Sequence, residues 1–448
     1  MSLMISVSGI RGVFGPDLNP ENIALFTAAF GTWTKGGKIV VGRDSRVTGD
    51  IAEASVIAAL QATGCKVIQA GVVPTPTVAM GVLRHQADGG VIITASHNPA
   101  QWNGLKFLNS KGEFLDEDQI NNVIRLSESK SVAYKTYKEI GSRELDEDLP
   151  AHHIREILNL PYINADEISS KSFKIAVDAV NGAGSRIIPD LLYQLGVTEV
   201  VEQNCIPNGD FAHDPEPTPV NLDAIRETVR NEKCDLGIAV DPDADRLAFV
   251  DEQGDLFGEE YTLAATMDFY LSRNKGPIAV NLSSSRVNED IAHKYGVECF
   301  RSAVGEISVV KEMQQRNAVI GGEGNGGVIN PDLHYGRDAL VGSAMLLQHL
   351  AELDVLSSEY RKSLPHYEMI KTKISLNGQL PETVISTLQE TFRDEKISTI
   401  DGLKIDFDDG WVHLRKSNTE PIMRVFAEAK TIERARELAN EVIDLIPA

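Results

Sequence analysis

Apolar and polar positions along the chain follow one pattern for most of its length and another near its end. Lys38-Ile39-Val40-Val41-Gly42 is a short β-branched run that reads as a buried strand. The alanine-rich stretch 50–63, with apolar residues at helical spacing, reads as a helix stopped by Gly64. Lys66-Val67-Ile68 and Gly90-Val91-Ile92-Ile93 are the next strands. The same order restarts at Phe173-Lys174-Ile175-Ala176-Val177-Asp178, where Asn181-Gly182-Ala183-Gly184 opens a helix to about Leu195. It restarts again at Gly276-Pro277-Ile278-Ala279-Val280. Three strand–turn–helix restarts, roughly a hundred residues apart, predict three α/β units of related design. From Glu368 the pattern changes. Strands are expected at 370–375, 402–407, 410–415 and 424–429 and helices at 381–392 and 432–445, a small α+β domain with a helix-covered antiparallel sheet. An acidic stretch at 143–150 ending in Pro150, and the segment 357–367, are candidate boundaries.

Two strand ends carry the most chemistry. The run 90–94 leads into Ala95-Ser96-His97-Asn98-Pro99, and Pro99 keeps Asn98 out of the helical region, so Ser96 sits on a turn where α/β folds hold ligands. His97 can orient the serine or a phosphate on it, and Lys106 can neutralise nearby negative charge. Taken alone, Ser-His-Asn-Pro is equally a plain turn. It is not a Gly-x-Ser-x-Gly elbow, which argues against an α/β-hydrolase. Between the strands 236–240 and 247–250 lies Asp241-Pro242-Asp243-Ala244-Asp245-Arg246. Three carboxylates so close need compensation. Magnesium, which takes about six oxygens near ~2.1 Å and some of them from phosphate, would supply it. A solvated acidic turn is the plain alternative. An EF-hand is disfavoured by Arg246 at the glycine position and by flanking strands.

Two further loops are weaker alone. Gly321-Gly322-Glu323-Gly324-Asn325-Gly326-Gly327 allows close backbone approach, with Glu323 and Asn325 as its only side chains able to bind sugar hydroxyls. Arg415-Lys416-Ser417-Asn418-Thr419-Glu420-Pro421 gathers a guanidinium, an ammonium, hydroxyls and an amide, chemistry suited to a dianionic phosphate as well as to a polar hairpin.

Composition narrows the partners. The 448 residues are 42% hydrophobic and 24% charged, with a formal net charge of −22. Such a field argues against nucleic acid and against an anionic membrane, and an anionic substrate would need a local basic pocket. Arg11, Arg43, Lys106, Arg246, Arg415 and Arg424 are available for it. Cys65, Cys205, Cys234 and Cys299 form no metal or disulfide spacing, and no run of 18 apolar residues occurs, so a cytoplasmic location is expected.

Together the four loops, from Ser8-Gly9-Ile10-Arg11-Gly12 to 415–421, resemble the α-D-phosphohexomutase family, in order and spacing over essentially the whole chain. The resemblance implies a heart-shaped fold of three related α/β domains plus a smaller C-terminal α+β domain. It divides the chain into 1–147 with the phosphoserine loop, 148–252 with the metal loop, 253–362 with the sugar loop and 363–448 with the phosphate loop. It implies that Ser96 is the phosphoserine and that Asp241, Asp243 and Asp245 hold Mg²⁺ together with an oxygen on Ser96. Arg11, His97, Lys106 and Arg246 become the polar surround for proton transfer and charge stabilisation. Glu323 and Asn325 become sugar contacts, with Glu306 a further candidate, and Arg415, Ser417, Asn418 and Thr419 a phosphate clamp.

The implied reaction interconverts hexose 1- and 6-phosphates through a 1,6-bisphosphate, which also serves as activator, with a small phosphosugar as partner. Asn325 stands where many members carry serine, so the sugar is open, with glucosamine phosphate placed slightly ahead of mannose or glucose phosphate. Two alternatives stand beside it, the first using the same Ser96 and aspartates. A Mg-dependent sugar phosphatase would release inorganic phosphate without needing a bisphosphate, and a non-catalytic sugar-phosphate binder would not need Ser96.

Overall fold

The computed structural model describes residues 3–7, 9–376, 380–416 and 422–446. Packing divides them into two units, Met1–Phe269 with Asn325–Tyr360, and Tyr270–Gly324 with Arg361–Ala448.

In the first unit a seven-stranded sheet runs in the order Met4–Ser6, Gly9–Val13, Trp102–Leu108, Gly89–Ile93, Lys38–Arg43, Lys66–Val72, Arg143–Leu145. Its central strands pair in parallel. They bury both faces: Ile39, Val41, Val91 and Ile93 enter one core, while Val40, Ile68 and Ile92 enter another. Two covered faces explain why these strands read as unbroken apolar runs. The helix Pro20–Trp33 starts where Asn19 accepts from the N–H groups of Glu21 and Asn22 and the Asn22 side chain accepts from Asn19 N–H, with proline in the first turn. The helix expected at 50–63 is Gly49–Ala62.

A second sheet, in the order Leu247–Asp251, Leu236–Val240, Lys174–Asp178, Glu199–Gln203, is parallel except at one edge. There Val240 pairs with Leu247, so 241–246 form the tip of an antiparallel hairpin. The helix expected after Gly184 runs Gly184–Gln194.

In the second unit the strands Cys299–Ser302, Ile278–Asn281 and Ile320–Glu323 lie parallel in that order. An antiparallel sheet follows, ordered Glu368–Ser375, Ile422–Ala429, Gly410–Lys416, Leu403–Phe407, Lys396–Ser398. Leu388 of the helix Pro381–Thr391 and Leu438 of Ile432–Ile443 join Leu403, Val412, Leu414 and Val425 in its core. The edge strand Lys396–Ser398 was not expected. Three residues are too few to show alternation.

Candidate active site

Past the strand Gly89–Ile93 the chain turns sharply, and Ser96 has φ +51°, the left-handed region that a non-glycine residue rarely occupies. Buried neighbours impose it. Thr94 Oγ1 accepts from Ser96 N–H at 2.8 Å and donates to Asp44 Oδ2 at 2.6 Å. Arg46, only 1% exposed, pairs with Asp44 at 2.9 Å and donates to the carbonyls of Ser96, Asn98, Pro99 and Trp102 at 2.6–2.9 Å. One guanidinium thereby collects four carbonyls of the loop.

Ser96 is itself buried, with Oγ 3.1 Å from Asp241 Oδ2 and 3.3 Å from His97 Nδ1. Burial, reinforced by Arg246 and Arg11, holds the His97 imidazole well below its ordinary range, so the ring is neutral at neutral pH and able to take a proton. Burial also lowers the Arg11 guanidinium, against Asp243 and Asp245, and Arg11 Nη1 donates to Asn98 Oδ1 at 3.3 Å. Arg246 reaches Glu216 at 2.9 Å, and Glu216 stands 3.9 Å from His97 Nε2.

The hairpin aspartates are fully buried, which excludes the solvated acidic turn. Each uses one oxygen for orientation. Asp241 Oδ1 accepts from the N–H groups of Asp245 and Arg246, both at 3.1 Å. Asp243 Oδ2 accepts from Thr75 and from Lys106, both at 2.6 Å. Asp245 Oδ2 accepts from Arg337 at 2.7 Å and from Lys106 at 3.3 Å. The Oδ1 atoms of Asp243 and Asp245 are buried with no hydrogen-bond partner among the described residues.

A buried carboxylate oxygen without a donor is costly. Two of them, on carboxylates that together with Asp241 bring one oxygen each within 4.8 Å of the others, fit a hard cation held by oxygen. Charge follows the same logic. Burial, then Asp245 and Asp243, push Asp241 well above the ordinary carboxylate range. Burial opposes charge on Asp243 and Asp245 too, yet Lys106 holds the first and Arg337 the second below that range. Lys106 in turn is raised, Asp243 and Asp245 overcoming its burial.

Arg337 is a residue of this cluster that sequence reasoning missed. It precedes Asp338, which caps the helix Ala339–Leu353 through Oδ1 and accepts from His153 and His334 through Oδ2 at 2.9 and 3.2 Å. From that fixed point the side chain crosses Gly327, where a Cβ would lie 2.3 Å from Arg337 Cδ. Glycine at 327 is therefore what lets a guanidinium reach Asp245, and the run of glycines in this loop was the available signal. Asn325 Oδ1 accepts from Gly327 N–H at 3.2 Å and shapes the same turn. Arg43 is engaged elsewhere, with Asp50 and Glu53.

The second unit holds the remaining candidates. Glu323, 4% exposed, accepts from Asn281 Nδ2 at 3.0 Å and from Gly305 N–H at 2.9 Å. Glu306, half-buried, opens the helix Glu306–Arg316 directly after Gly305. Arg415 Nε stands 3.5 Å from Asp401 Oδ2. Arg424 is exposed and pairs across the sheet with Arg415. Ser417, Asn418 and Thr419 lie outside the described residues.

A buried serine facing a carboxylate cluster, with a neutral imidazole and several cations around it on a multidomain α/β scaffold, is the kind of arrangement that phosphoryl transfer needs. Four models of the phosphoglucomutase/phosphomannomutase family match in succession: α/β/α domain I at 3–133, domain II at 151–254, domain III at 258–367 and the C-terminal domain at 376–445. A phosphoglucomutase/phosphomannomutase of Thermococcus kodakarensis is 38% identical, over 100% of this chain and 99% of that one. A probable phosphoglucosamine mutase of Methanopyrus kandleri is 36% identical, over 100% and 98%. The crystal structure of a phosphoglucomutase/phosphomannomutase family protein from Burkholderia thailandensis superimposes with a TM-score of 0.86 at 26% identity, covering 98% of each chain. The chain belongs to the phosphoglucomutase/phosphomannomutase family, with its four-domain architecture of three α/β domains and a C-terminal domain, and is a phosphohexomutase.

Proposed function

We propose that Ser96 carries the transferable phosphoryl group of a hexose 1-phosphate/6-phosphate mutase, acting through a hexose 1,6-bisphosphate. The observation that supports this most is the pair of buried Oδ1 atoms on Asp243 and Asp245, without a hydrogen-bond partner among the described residues, in one carboxylate cluster with Asp241, whose Oδ2 lies 3.1 Å from Ser96 Oγ. Asp241, Asp243, Asp245 and the oxygen on Ser96 would hold Mg²⁺. When bound, the cation supplies charge neutralisation for the phosphoryl oxygens.

The chain's own residues do the rest. His97, neutral and 3.3 Å from Ser96 Oγ, takes the serine proton as Ser96 attacks and its O–P bond forms, and gives that proton back to Ser96 Oγ when the same bond breaks and Ser96 is the leaving group. Lys106, Arg11, Arg246 and Arg337 offset charge on the transferring group. Burial of Ser96 excludes the water that would turn a mutase into a phosphatase. Glu323, with Glu306 and Asn325, binds the sugar hydroxyls, and Arg415 with Ser417, Asn418 and Thr419 binds the phosphate that does not react. The carboxylate of Glu323 on Gly305 N–H, with Glu306 next in the chain, supports a slight lean to glucosamine phosphate, whose C2 ammonium a carboxylate would suit, over mannose and glucose phosphate. Four free cysteines support a cytoplasmic setting.

The test is ³¹P NMR with Mg²⁺, catalytic 1,6-bisphosphate and glucosamine, mannose or glucose 1-phosphate in separate tubes. Growth of a 6-phosphate signal, lost in Ser96→Ala by at least ~10³-fold in rate, is expected, fastest with glucosamine phosphate. Inorganic phosphate as the sole product, or full activity in Ser96→Ala, would refute the assignment.

A further inference from the structure

Six hydrogen bonds among seven residues of the second unit close into a circuit. Glu323 Oε1 accepts from Asn281 Nδ2 at 3.0 Å, and Asn281 Oδ1 accepts from Ser283 N–H at 2.9 Å. Ser283 Oγ lies 2.9 Å from His413 Nδ1, and His413 Nε2 lies 2.6 Å from the Asp401 carbonyl. Asp401 Oδ2 accepts from Val304 N–H at 3.1 Å, and the next residue, Gly305, returns to Glu323 Oε1 at 2.9 Å.

The tautomer follows from the partners. A carbonyl can only accept, so Nε2 carries the hydrogen. Nδ1 of the neutral ring then accepts from the Ser283 hydroxyl. His413 is fully buried, and Asn281, Ser283 and Glu323 are 4–8% exposed, so water does not compete for these bonds.

The circuit joins segments far apart in sequence, residues 281–323 of the stretch matched by domain III and 401–413 of that matched by the C-terminal domain. At one end it fixes the carboxylate of Glu323. At the other, Asp401 Oδ2 is also the acidic partner of Arg415, 3.5 Å from its Nε. A hexose phosphate presents hydroxyls and a non-reacting phosphate at a fixed separation, so groups that read the two must themselves be held at a fixed spacing. A misplacement of an ångström is enough to lose much of the rate.

We propose that Ser283, His413 and Asp401 are positioning residues that hold the sugar-reading carboxylate Glu323 and the phosphate-binding Arg415 in register, so that ring-hydroxyl recognition depends on residues that never touch the sugar. The proposal rests on the sugar and phosphate roles assigned above to Glu323 and Arg415.

Steady-state kinetics of the Mg²⁺-loaded full chain with glucosamine, mannose and glucose 1-phosphates test it, in wild type, Ser283→Ala, His413→Gln, Asp401→Asn, Glu323→Gln and Arg415→Lys. Opening the circuit by Ser283→Ala or His413→Gln is expected to raise KM about tenfold, with kcat changed less. The ranking ratios among the three sugars should shift by about threefold or more. A double-mutant cycle between Ser283→Ala and Arg415→Lys should show coupling of at least about threefold, although no hydrogen bond or ion pair joins the two side chains.

A purely structural role would lower the melting temperature and leave the sugar ratios alone. Unchanged KM and unchanged ratios in Ser283→Ala, with Glu323→Gln and Arg415→Lys both raising KM, would overturn the inference while the site reading stands. If Glu323→Gln and Arg415→Lys leave KM unaltered, the site reading itself falls, and the inference with it. Ser283→Ala removes a single hydroxyl and carries the test if His413→Gln does not fold.

Discussion

Around Ser96, three buried aspartates crowd together, two of them keep oxygens without a donor, and Ser96 and Ala244 hold backbone at φ +51° and +48°. Around Glu323 the same depth of burial gives the opposite result. Each polar group passes a hydrogen bond to the next until the circuit closes, with His413 neutral at its far side. The first region holds unsatisfied charge and backbone strain, the usual marks of a place where bonds are made and broken. In the second, the circuit's own groups are satisfied and only Arg415 Nε at its margin is buried without a hydrogen-bond partner among the described residues, as suits a template that recognises. On the proposed assignment, chemistry occupies the unbalanced region and recognition the balanced one.

That contrast is broken most severely by removing what balances the aspartates. Chelation of divalent cations should lower mutase activity by at least ~10³-fold, since several kcal/mol of charge stabilisation disappears with the cation. Added Mg²⁺ should restore it, and Asp243→Ala should respond to neither. Secondary structure by circular dichroism should stay intact throughout. Activity that persists through exhaustive chelation would mean that the partnerless oxygens serve some other end.

The strained serine loop is the next weak point. Arg46 holds four carbonyls and one carboxylate, and lysine cannot reproduce that fan of donors. Arg46→Lys should cost about 3–5 kcal/mol of stability, the range for breaking a buried charge network. A shift of less than about 1 kcal/mol in denaturant unfolding would show that the loop holds its own shape. A smaller effect is expected at Arg337. Arg337→Ala should reduce metal affinity or activity about 10–100-fold, as loss of a group that orients a ligand does. Gly327→Ala should move in the same direction, because its Cβ would occupy the path of the arginine. Opposite signs for the two variants would separate the glycine from the guanidinium.

What could be read from the chain follows the same divide. Ser96, the three aspartates and the strands that present them are local patterns, and the structure places them at strand ends and on a hairpin tip as expected. Long-range partners left no local mark. Thr75 lies 168 residues from Asp243, Arg337 92 residues from Asp245, and Ser283 130 residues from His413. The left-handed backbone at Ser96 was hidden for a different reason. A serine gives no hint of positive φ, which Thr94, Asp44 and Arg46 impose from outside the loop. Gly327 was visible as one glycine among many, and only the arginine crossing it says which one matters.

The balanced half has its own weak point, in acid. Burial, partly offset by Asp401 and reinforced by Arg415 and Lys404, pushes His413 down to about 4. In the unfolded chain it titrates near 6.5. Between those values the unfolded chain binds a proton that the native chain does not, so stability rises with pH across that window and is lost as pH falls from about 6.5 towards about 4. One proton contributes a slope of about 1.4 kcal/mol per pH unit. Subtracting the same curve for His413→Gln, which keeps a neutral amide at this position, isolates the contribution of the ring. If wild type and variant run parallel between pH 6.5 and 4, His413 is not held neutral by its burial. The Ser283 hydroxyl would then have no acceptor at Nδ1, and the circuit would lose the link that joins Asn281 to Asp401.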